Sequence, residues 1–301
     1  MQHLIEVPHL EWHVTHNCNL SCESCCHFTN HGHNWFAEID TLKKWYSYWN
    51  NRISPKNMGI LGGEPLLHKN IVDIIYLTKD MWQQPKDSIF GMVTNGILID
   101  EEKHKDLPKA LKDTNGILSI SLHAYKDTSS KYHEKLMSAL KIASQWKKDY
   151  GIKVNLYNSV RYWSKVYNGF GVNSEPFGDN DPQQSWDNCP TGQDCFQLYN
   201  GNIYKCSLTA YLSLQKEKYG PLLSEKWDPY LKYIPLTPDC SDEEIVEFFD
   251  RKCESVCGMC PKNVIGFRKN DPLLSVSYYE NHQEKPTNKR LPKYKKNNKI
   301  L

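Results

Sequence analysis

The sequence predicts an α/β fold: a parallel sheet built from repeated strand–helix units, followed by a small cysteine-rich unit. Three observations predict it. Short apolar segments alternate with longer amphipathic ones from residue 10 to residue 160, and repeated strand–helix units make parallel sheets. Thiol-bearing or polar residues gather where several of these strands end, and barrels of such units carry their chemistry on the loops after the strands. The 11 cysteines fall in clusters at 18–26, 189–206 and 253–260, with Cys240 apart.

The elements follow in order. Leu10 to Thr15 alternates apolar and polar residues, as a half-buried strand does. Asp40 or Thr41 caps a helix to about Asn50, with Leu42, Trp45 and Trp49 on one face. Met58 to Leu61 is a strand that runs into Gly62-Gly63-Glu64-Pro65. A helix over 70–82 places Ile71, Ile74, Ile75 and Thr78 at helical spacing, and Ser88 to Val93 forms a third strand before Thr94-Asn95-Gly96. A polar helix is expected near 101–112, then a strand from Gly116 to His123 with Ser121 and His123 near its carboxyl end. Along 131–149, Tyr132, Leu136, Ala139, Leu140, Ala143 and Trp146 form a buried stripe. Lys153 to Val160 is a fifth strand, with Asn155, Asn158 and Arg161 as polar groups near it. No segment declares itself as the sixth.

Beyond this point the pattern changes. Residues 167–187 are rich in Gly, Asn, Asp and Pro and read as a surface linker. Asn200-Gly201, between Phe196–Tyr199 and Asn202–Lys205, marks a two-residue hairpin, which sets Cys195 opposite Cys206. Leu208 to Tyr233 is amphipathic and aromatic, and Ser241 starts a helix to about Arg251 with acids in its first turn. The basic, proline-interrupted stretch 285–299 reads as a solvated tail.

Composition narrows the function. A net charge of +2 supplies no global field that would demand nucleic acid or a membrane surface. No run approaches the roughly 18 apolar residues of a membrane span, and the start lacks the basic end and apolar stretch of a secretory signal. Without that signal, an odd number of clustered cysteines reads as metal or redox ligands rather than disulfides, in a cytoplasmic metalloprotein.

Cys18, Cys22 and Cys25 are spaced C-x3-C-x2-C directly after the first strand. Three thiolates on one loop can hold three corners of a cubane cluster, which normally has four cysteine ligands. One iron is then left open, and catalytic metal sites keep such a position. Glycines at 62 and 63 let backbone approach a ligand closely, and the Glu64 carboxylate can accept from an ammonium group. A zinc knuckle is the alternative reading of the three cysteines alone.

This spacing, the Gly-Gly-Glu-Pro segment about 40 residues later and the Thr-Asn-Gly after the third strand together resemble the radical S-adenosylmethionine (radical SAM) superfamily. The resemblance implies a six-unit partial (β/α) barrel, similar to an incomplete TIM barrel, reaching to about residue 170–185. It implies that Cys18, Cys22 and Cys25 hold a catalytic [4Fe–4S] cluster whose open iron chelates S-adenosylmethionine. One electron then cleaves the sulfonium to methionine and a 5′-deoxyadenosyl radical, which abstracts hydrogen from a substrate. Gly62, Gly63, Glu64 and Pro65 are expected to receive the methionine moiety, with Thr94, Asn95, Ser121 and His123 beside the nucleoside. Ser24 departs from the aromatic residue that usually precedes the third cysteine. Cys26 is adjacent, but only Cys25 keeps the spacing. His27, His31 and His33 are expected in solvent or behind the ligands.

Cys189, Cys195 and Cys206, then Cys253, Cys257 and Cys260, resemble the auxiliary-cluster domains called SPASM and twitch. That resemblance implies a second [4Fe–4S] cluster on four of the six, with Cys206, Cys257 and Cys260 as its core. Family spacing makes Cys189 the fourth ligand and hairpin geometry makes it Cys195; a zinc ribbon from the same residues is the alternative. The expected division is a core barrel over 1–180, an auxiliary domain over 181–275 and a basic flexible tail over 276–301.

The expected activity is oxidoreductase-like dehydrogenation, or epimerisation, of a small hydroxylated, sugar-like molecule. An electron donor such as flavodoxin or ferredoxin is the implied partner. The barrel begins within the first dozen residues, which leaves no room for an N-terminal peptide-binding domain. Maturation of a ribosomal peptide is the alternative within the same chemistry, and a non-catalytic Fe–S or zinc scaffold is the alternative outside it.

Overall fold

The computed structural model describes residues 4–83, 85, 87–123, 130–159, 164–178, 181–189 and 194–263. Arg161 and the expected tail over 276–301 lie outside them.

Five parallel strands carry the first half: β1 (Ile5–His13), β2 (Ile53–Leu61), β3 (Ile89–Thr94), β4 (Ile117–Leu122) and β5 (Lys153–Asn158). Helices α1 (Ile39–Trp49), α2 (Ile71–Met81), α3 (Leu107–Asp113) and α4 (Ser130–Tyr150) connect them. Alternation along the strands divides the sheet into two faces. Leu10, Trp12, Met58, Ile60, Phe90, Met92, Leu118 and Ile120 are buried in the core. The alternate positions, Glu11, His13, Gly59, Leu61, Gly91, Val93, Ser119 and Ser121, turn to the other face.

Trp12 anchors the helical side, with the Tyr46 ring edge-on at 5.2 Å and the Trp82 ring stacked at 6.3 Å. A fully buried Trp of this kind contributes about 3–5 kcal/mol by truncation. The stripe expected on α4 is buried at Tyr132, Leu136, Ala139, Ala143 and Trp146, with Leu140 packed at its margin.

Two boundaries differ from the sequence reading. The first helix starts two residues early, with Glu38 as its N-cap and no side-chain cap bond. The helix expected near 101–112 begins only at Leu107, because Asp100 accepts from the Lys103 backbone in a preceding turn and Pro108 sets the first helical turn.

The sixth strand is found where it was not sought. Order in the sheet is β5-β4-β3-β2-β1-β6-β7, and β6 (Gln197–Tyr199) lies parallel to β1 through Glu11 and Gln197. It forms the expected hairpin with β7 (Asn202–Tyr204), turning at Asn200 (φ 49°) and Gly201 (φ 78°), both left-handed as a type I′ turn requires. The cysteine-bearing hairpin therefore extends the barrel sheet, and the boundary expected near residue 180 falls between strands of one sheet. Trp49 fastens it to α1 by donating from Nε1 to the Gly201 carbonyl at 2.8 Å.

After the hairpin come α6 (Ser207–Tyr219), α7 (Asp228–Leu231) and α8 (Asp242–Asp250); a short α5 (Pro182–Asp187) precedes it. Residues 167–187, expected as linker, thus contain a helix. No helix among the described residues is long and apolar enough to cross a membrane.

Gly201→Ala would add a Cβ to a left-handed residue, 2.9 Å from the Tyr48 ring. It is expected to destabilise the fold by about 1–2 kcal/mol, seen as a lower urea midpoint. An unchanged midpoint would show that the turn is not a constraint.

Candidate active site

The loop after β1 carries Cys18, Cys22 and Cys25, and none of the 11 cysteines is in a disulfide. The carboxyl end of β2 holds this loop by backbone bonds: Gly63 N–H donates to the Thr15 carbonyl and Glu64 N–H to the Asn17 carbonyl, each at 2.8 Å. A Cβ on Gly63 would lie 2.2 Å from the Asn17 oxygen, and one on Gly62 2.7 Å from the Thr15 oxygen. Both glycines are thus required for the approach of strand end to cysteine loop.

Glu64 is fully buried. Its Oε1 accepts from Leu66 N–H (3.0 Å) and from the Thr94 hydroxyl (2.6 Å), and its Oε2 accepts from Asn95 N–H (2.8 Å). Asn95 in turn donates from Nδ2 to Asn19 Oδ1 in the cysteine loop at 2.7 Å. Burial outweighs these bonds and pushes the Glu64 carboxyl up to about 7. The ends of β1, β2 and β3 are thereby tied into one network. The carboxylate expected to meet an ammonium group is engaged by protein donors, and Gly62 and Gly63, not Glu64 or Pro65, line the cavity.

That cavity is about 360 Å³. Cys18, Cys22, Cys25, Gly62, Gly63, Thr94, Asn95, Ser121 and His123 all line it. Ser24, Cys26, His27, Thr29, Tyr157, Ser159 and Ser164 line it too, with the apolar Leu20, Leu61, Val93 and Val166. His123 reaches across, with Nδ1 3.7 Å from Cys22 Sγ and Nε2 3.0 Å from Ser121 Oγ, and burial lowers its pKa to about 4. Ser121 also bonds to Ser159.

Among the described residues no three His, Cys, Asp or Glu side chains meet around one point as ligands of a single ion do. A cubane makes a different demand: each thiolate reaches its own iron, so its ligands ring a volume. Three thiols on one cavity wall suit that. Burial pushes the Cys18 and Cys22 thiols far up, and a buried thiolate needs a cationic partner to persist. The donor set therefore fits a cluster.

Several residues that shape this site carry no motif. Ser24 sits in a left-handed conformation (φ 54°); its hydroxyl donates to the Tyr167 carbonyl at 2.9 Å and accepts from Val166 and Tyr167 N–H. The expected aromatic is replaced by a staple to the chain after β5. His31, expected in solvent or behind the ligands, is fully buried between the Tyr219 and Tyr167 hydroxyls at 3.1 and 3.2 Å. His33 is bonded to Gln215 at 2.9 Å, and His27 to His13 at 2.6 Å. None of these contacts is readable without the fold, since each joins segments more than ten residues apart.

The second cysteine set converges from three segments. Lys205, 3% exposed, draws the hairpin to residues 251–254: Nζ donates to the Arg251 carbonyl at 2.9 Å, pairs with Glu254 at 3.2 Å and lies 4.4 Å from the Trp186 ring. Ser185 donates to the Cys260 carbonyl, and Asn188 to that of Lys262. Burial pushes Cys260 well up, helped by the neighbouring thiols of Cys206, Cys189 and Cys257. Cys206 rises to about 11 and Cys257 to about 12, mainly through burial, with Cys189 acting on the first and Cys206 on the second. Cys195 turns elsewhere, donating to Glu11 Oε2 at 3.4 Å, and Cys253 stands at the margin beside Cys257. Cys240 lies apart, 3.6 Å from the Arg52 guanidinium.

Comparison with known proteins places this geometry. The Radical SAM superfamily description matches residues 12–157. A GTP 3′,8-cyclase of Clostridium perfringens is 28% identical over 161 residues, covering 52% of this chain and 45% of that protein. The chain spans less than half the length of the curated relatives it matches. The crystal structure of BtrN in complex with AdoMet and 2-DOIA aligns with a TM-score of 0.45 at 15% identity, over 93% of this chain and 98% of that one. That of Streptococcus suis SuiB bound to S-adenosylmethionine aligns with a TM-score of 0.33 at 18% identity, over 50% of this chain and 32% of that one. Residues 12–157 are a radical SAM domain, and members of that superfamily use a [4Fe–4S] cluster and S-adenosylmethionine.

Proposed function

We propose that this chain cleaves S-adenosylmethionine reductively at a cluster on Cys18, Cys22 and Cys25 and removes a hydrogen atom from a small hydroxylated molecule. One observation carries it: the three thiols and the carboxyl ends of β2, β3 and β4 line one cavity, where hydroxyl, imidazole and amide groups stand beside Leu20, Leu61, Val93 and Val166. When bound, the cluster supplies the electron that breaks the sulfonium bond. The chain's own residues do the positioning. Gly62 and Gly63 present backbone to the methionine end, while Thr94, Asn95, Ser121 and His123 flank the nucleoside. Glu64 acts as the brace that fixes these ends, a positioning role in place of direct contact.

The hydroxyl, imidazole and amide groups among the lining residues offer hydrogen bonds to a sugar-like substrate, dehydrogenated or epimerised. A nucleoside triphosphate is the substrate class that the name of the Clostridium relative gives; among the described residues no Lys or Arg lines the cavity. A ribosomal peptide is the second reading. Cys189, Cys206, Cys257 and Cys260 are the proposed ligands of a second [4Fe–4S] cluster, which would accept an electron from the substrate or shield it. The auxiliary region is then 181–275, functionally distinct though joined to the barrel sheet, and a flavodoxin- or ferredoxin-like donor supplies electrons.

Three outcomes are expected. Reconstituted, dithionite-reduced protein releases 5′-deoxyadenosine from S-adenosylmethionine; Ala at Cys18, Cys22 or Cys25 abolishes this and Cys240→Ala does not. Absence of 5′-deoxyadenosine from the intact wild type under any reductant would leave the scaffold reading. Iron is expected at about eight per chain, falling to about four when Cys257 and Cys260 are changed to Ala; zinc at the second set would remove the auxiliary cluster. The third concerns Glu64. Its folded pKa is raised to about 7, so its protonation favours the folded state below the ordinary carboxyl pKa and that contribution is lost as pH rises through 7. Stability of the wild type relative to Glu64→Gln should therefore fall between about pH 4.5 and 7. A difference independent of pH would show that the carboxyl is not held in this way.

A further inference from the structure

Each of the three sulfurs in the cysteine loop has a donor within reach. Leu20 N–H donates to Cys18 Sγ at 3.4 Å, His123 Nδ1 lies 3.7 Å from Cys22 Sγ, and Thr29 Oγ1 lies 3.5 Å from Cys25 Sγ. The first donor is backbone, which any residue at position 20 except proline would supply. The other two are side chains, and both line the cavity beside the thiols.

Local structure aims the Thr29 hydroxyl. Phe28 N–H donates to the Cys25 carbonyl at 2.9 Å, and Phe28 is left-handed (φ 56°), so the chain turns back over the third cysteine. The Phe28 ring, fully buried and stacked on Tyr167 at 5.0 Å, holds that turn, and Thr29 is only 4% exposed. His123 follows directly on β4, and its Nε2 lies 3.0 Å from Ser121 Oγ, which is bonded in turn to Ser159. A metal-bound thiolate has no proton to give, so both contacts to sulfur run from the side chain. Nδ1 of His123 then carries the ring proton, and Nε2 accepts from the Ser121 hydroxyl.

An electron added to an iron–sulfur cluster increases the negative charge on its sulfurs. Donors at sulfur therefore favour the reduced form, and such bonds are among the factors that set the potential. Burial strengthens them, because a hydrogen bond is electrostatically stronger at low dielectric. We propose that the Thr29 hydroxyl and the His123 imidazole set the reduction potential of the cluster on Cys18, Cys22 and Cys25, holding it less negative than the backbone donor alone would. This rests on the reading of that loop as the catalytic cluster's site. Both residues act through the ligand sulfurs they touch.

The test is a redox titration of the reconstituted whole chain, followed by electron paramagnetic resonance at one fixed pH. The catalytic cluster is recognised as the one whose signal changes on adding S-adenosylmethionine, and its potential is measured before that addition. Thr29→Val, which keeps the shape and removes the hydroxyl, is expected to disfavour reduction about tenfold, a shift of about −59 mV for one electron. His123→Phe should shift the potential in the same direction, and Thr29→Ser, which keeps the hydroxyl, should restore the wild-type value. If circular dichroism shows one of these variants misfolded, the other decides. An unchanged or less negative potential in either folded, iron-loaded variant, or a Thr29→Ser value no nearer the wild type than that of Thr29→Val, overturns the proposal. A wild type with no signal that responds to S-adenosylmethionine is a separate failure, since it removes the catalytic cluster itself.

Discussion

Glu64 has no exposed surface, and its two oxygens accept from a residue of its own turn and from two at the end of β3. A carboxylate in such a place is costly unless its lone pairs are met. Here they are met by groups that define where two strands stop. The cysteine loop joins the same network twice, through backbone bonds to Gly63 and Glu64 and through the Asn95–Asn19 pair. Loosening this carboxylate would allow the loop that bears Cys18, Cys22 and Cys25 to drift relative to the strand ends opposite. The remaining geometry of the cavity is a consequence of that tie.

The two faces of the sheet explain how a cavity lined in part by polar groups coexists with a stable fold. Large apolar side chains on one face form a continuous core with the helices. The other face is free to carry small and polar residues because it contributes little to that core. At its carboxyl end this face brings Leu61, Val93, Ser121 and Tyr157 to the cavity. Stability and reactivity are thus assigned to alternate residues of the same strands.

The legible parts of the sequence were those with local causes. Helical stripes, the hairpin at Asn200-Gly201 and the strands ending at the cysteine, Gly-Gly-Glu-Pro and Thr-Asn-Gly segments all follow from short-range spacing. Most of the candidate site residues stand in those segments, and Cys18, Cys22, Cys25, Gly62, Gly63, Thr94 and Asn95 share the lining of one cavity. What escaped were relations across long separations. β6 is three residues long and pairs with β1 through one residue pair, so no periodicity announces it. Ser24 looks like a departure from the family pattern until Val166 and Tyr167 are beside it. Cys189 comes beside Cys206 and Cys260 only through the meeting of three segments at Lys205 and α5, whereas hairpin register sets Cys195 opposite Cys206 and its thiol bonds to Glu11.

The late arrival of β6 has a consequence for how the chain comes to be folded. β1 is synthesised before the other strands of this sheet, yet one of its two edges waits for residues 197–199. Contacts at such separation close slowly, because a long loop must be ordered before they form. In the interval a strand with unpaired backbone groups is exposed along that edge, a template for pairing with other chains. Yield of native protein would then be set by competition between hairpin docking and self-association, and expression at low temperature or with a holdase chaperone would favour the first.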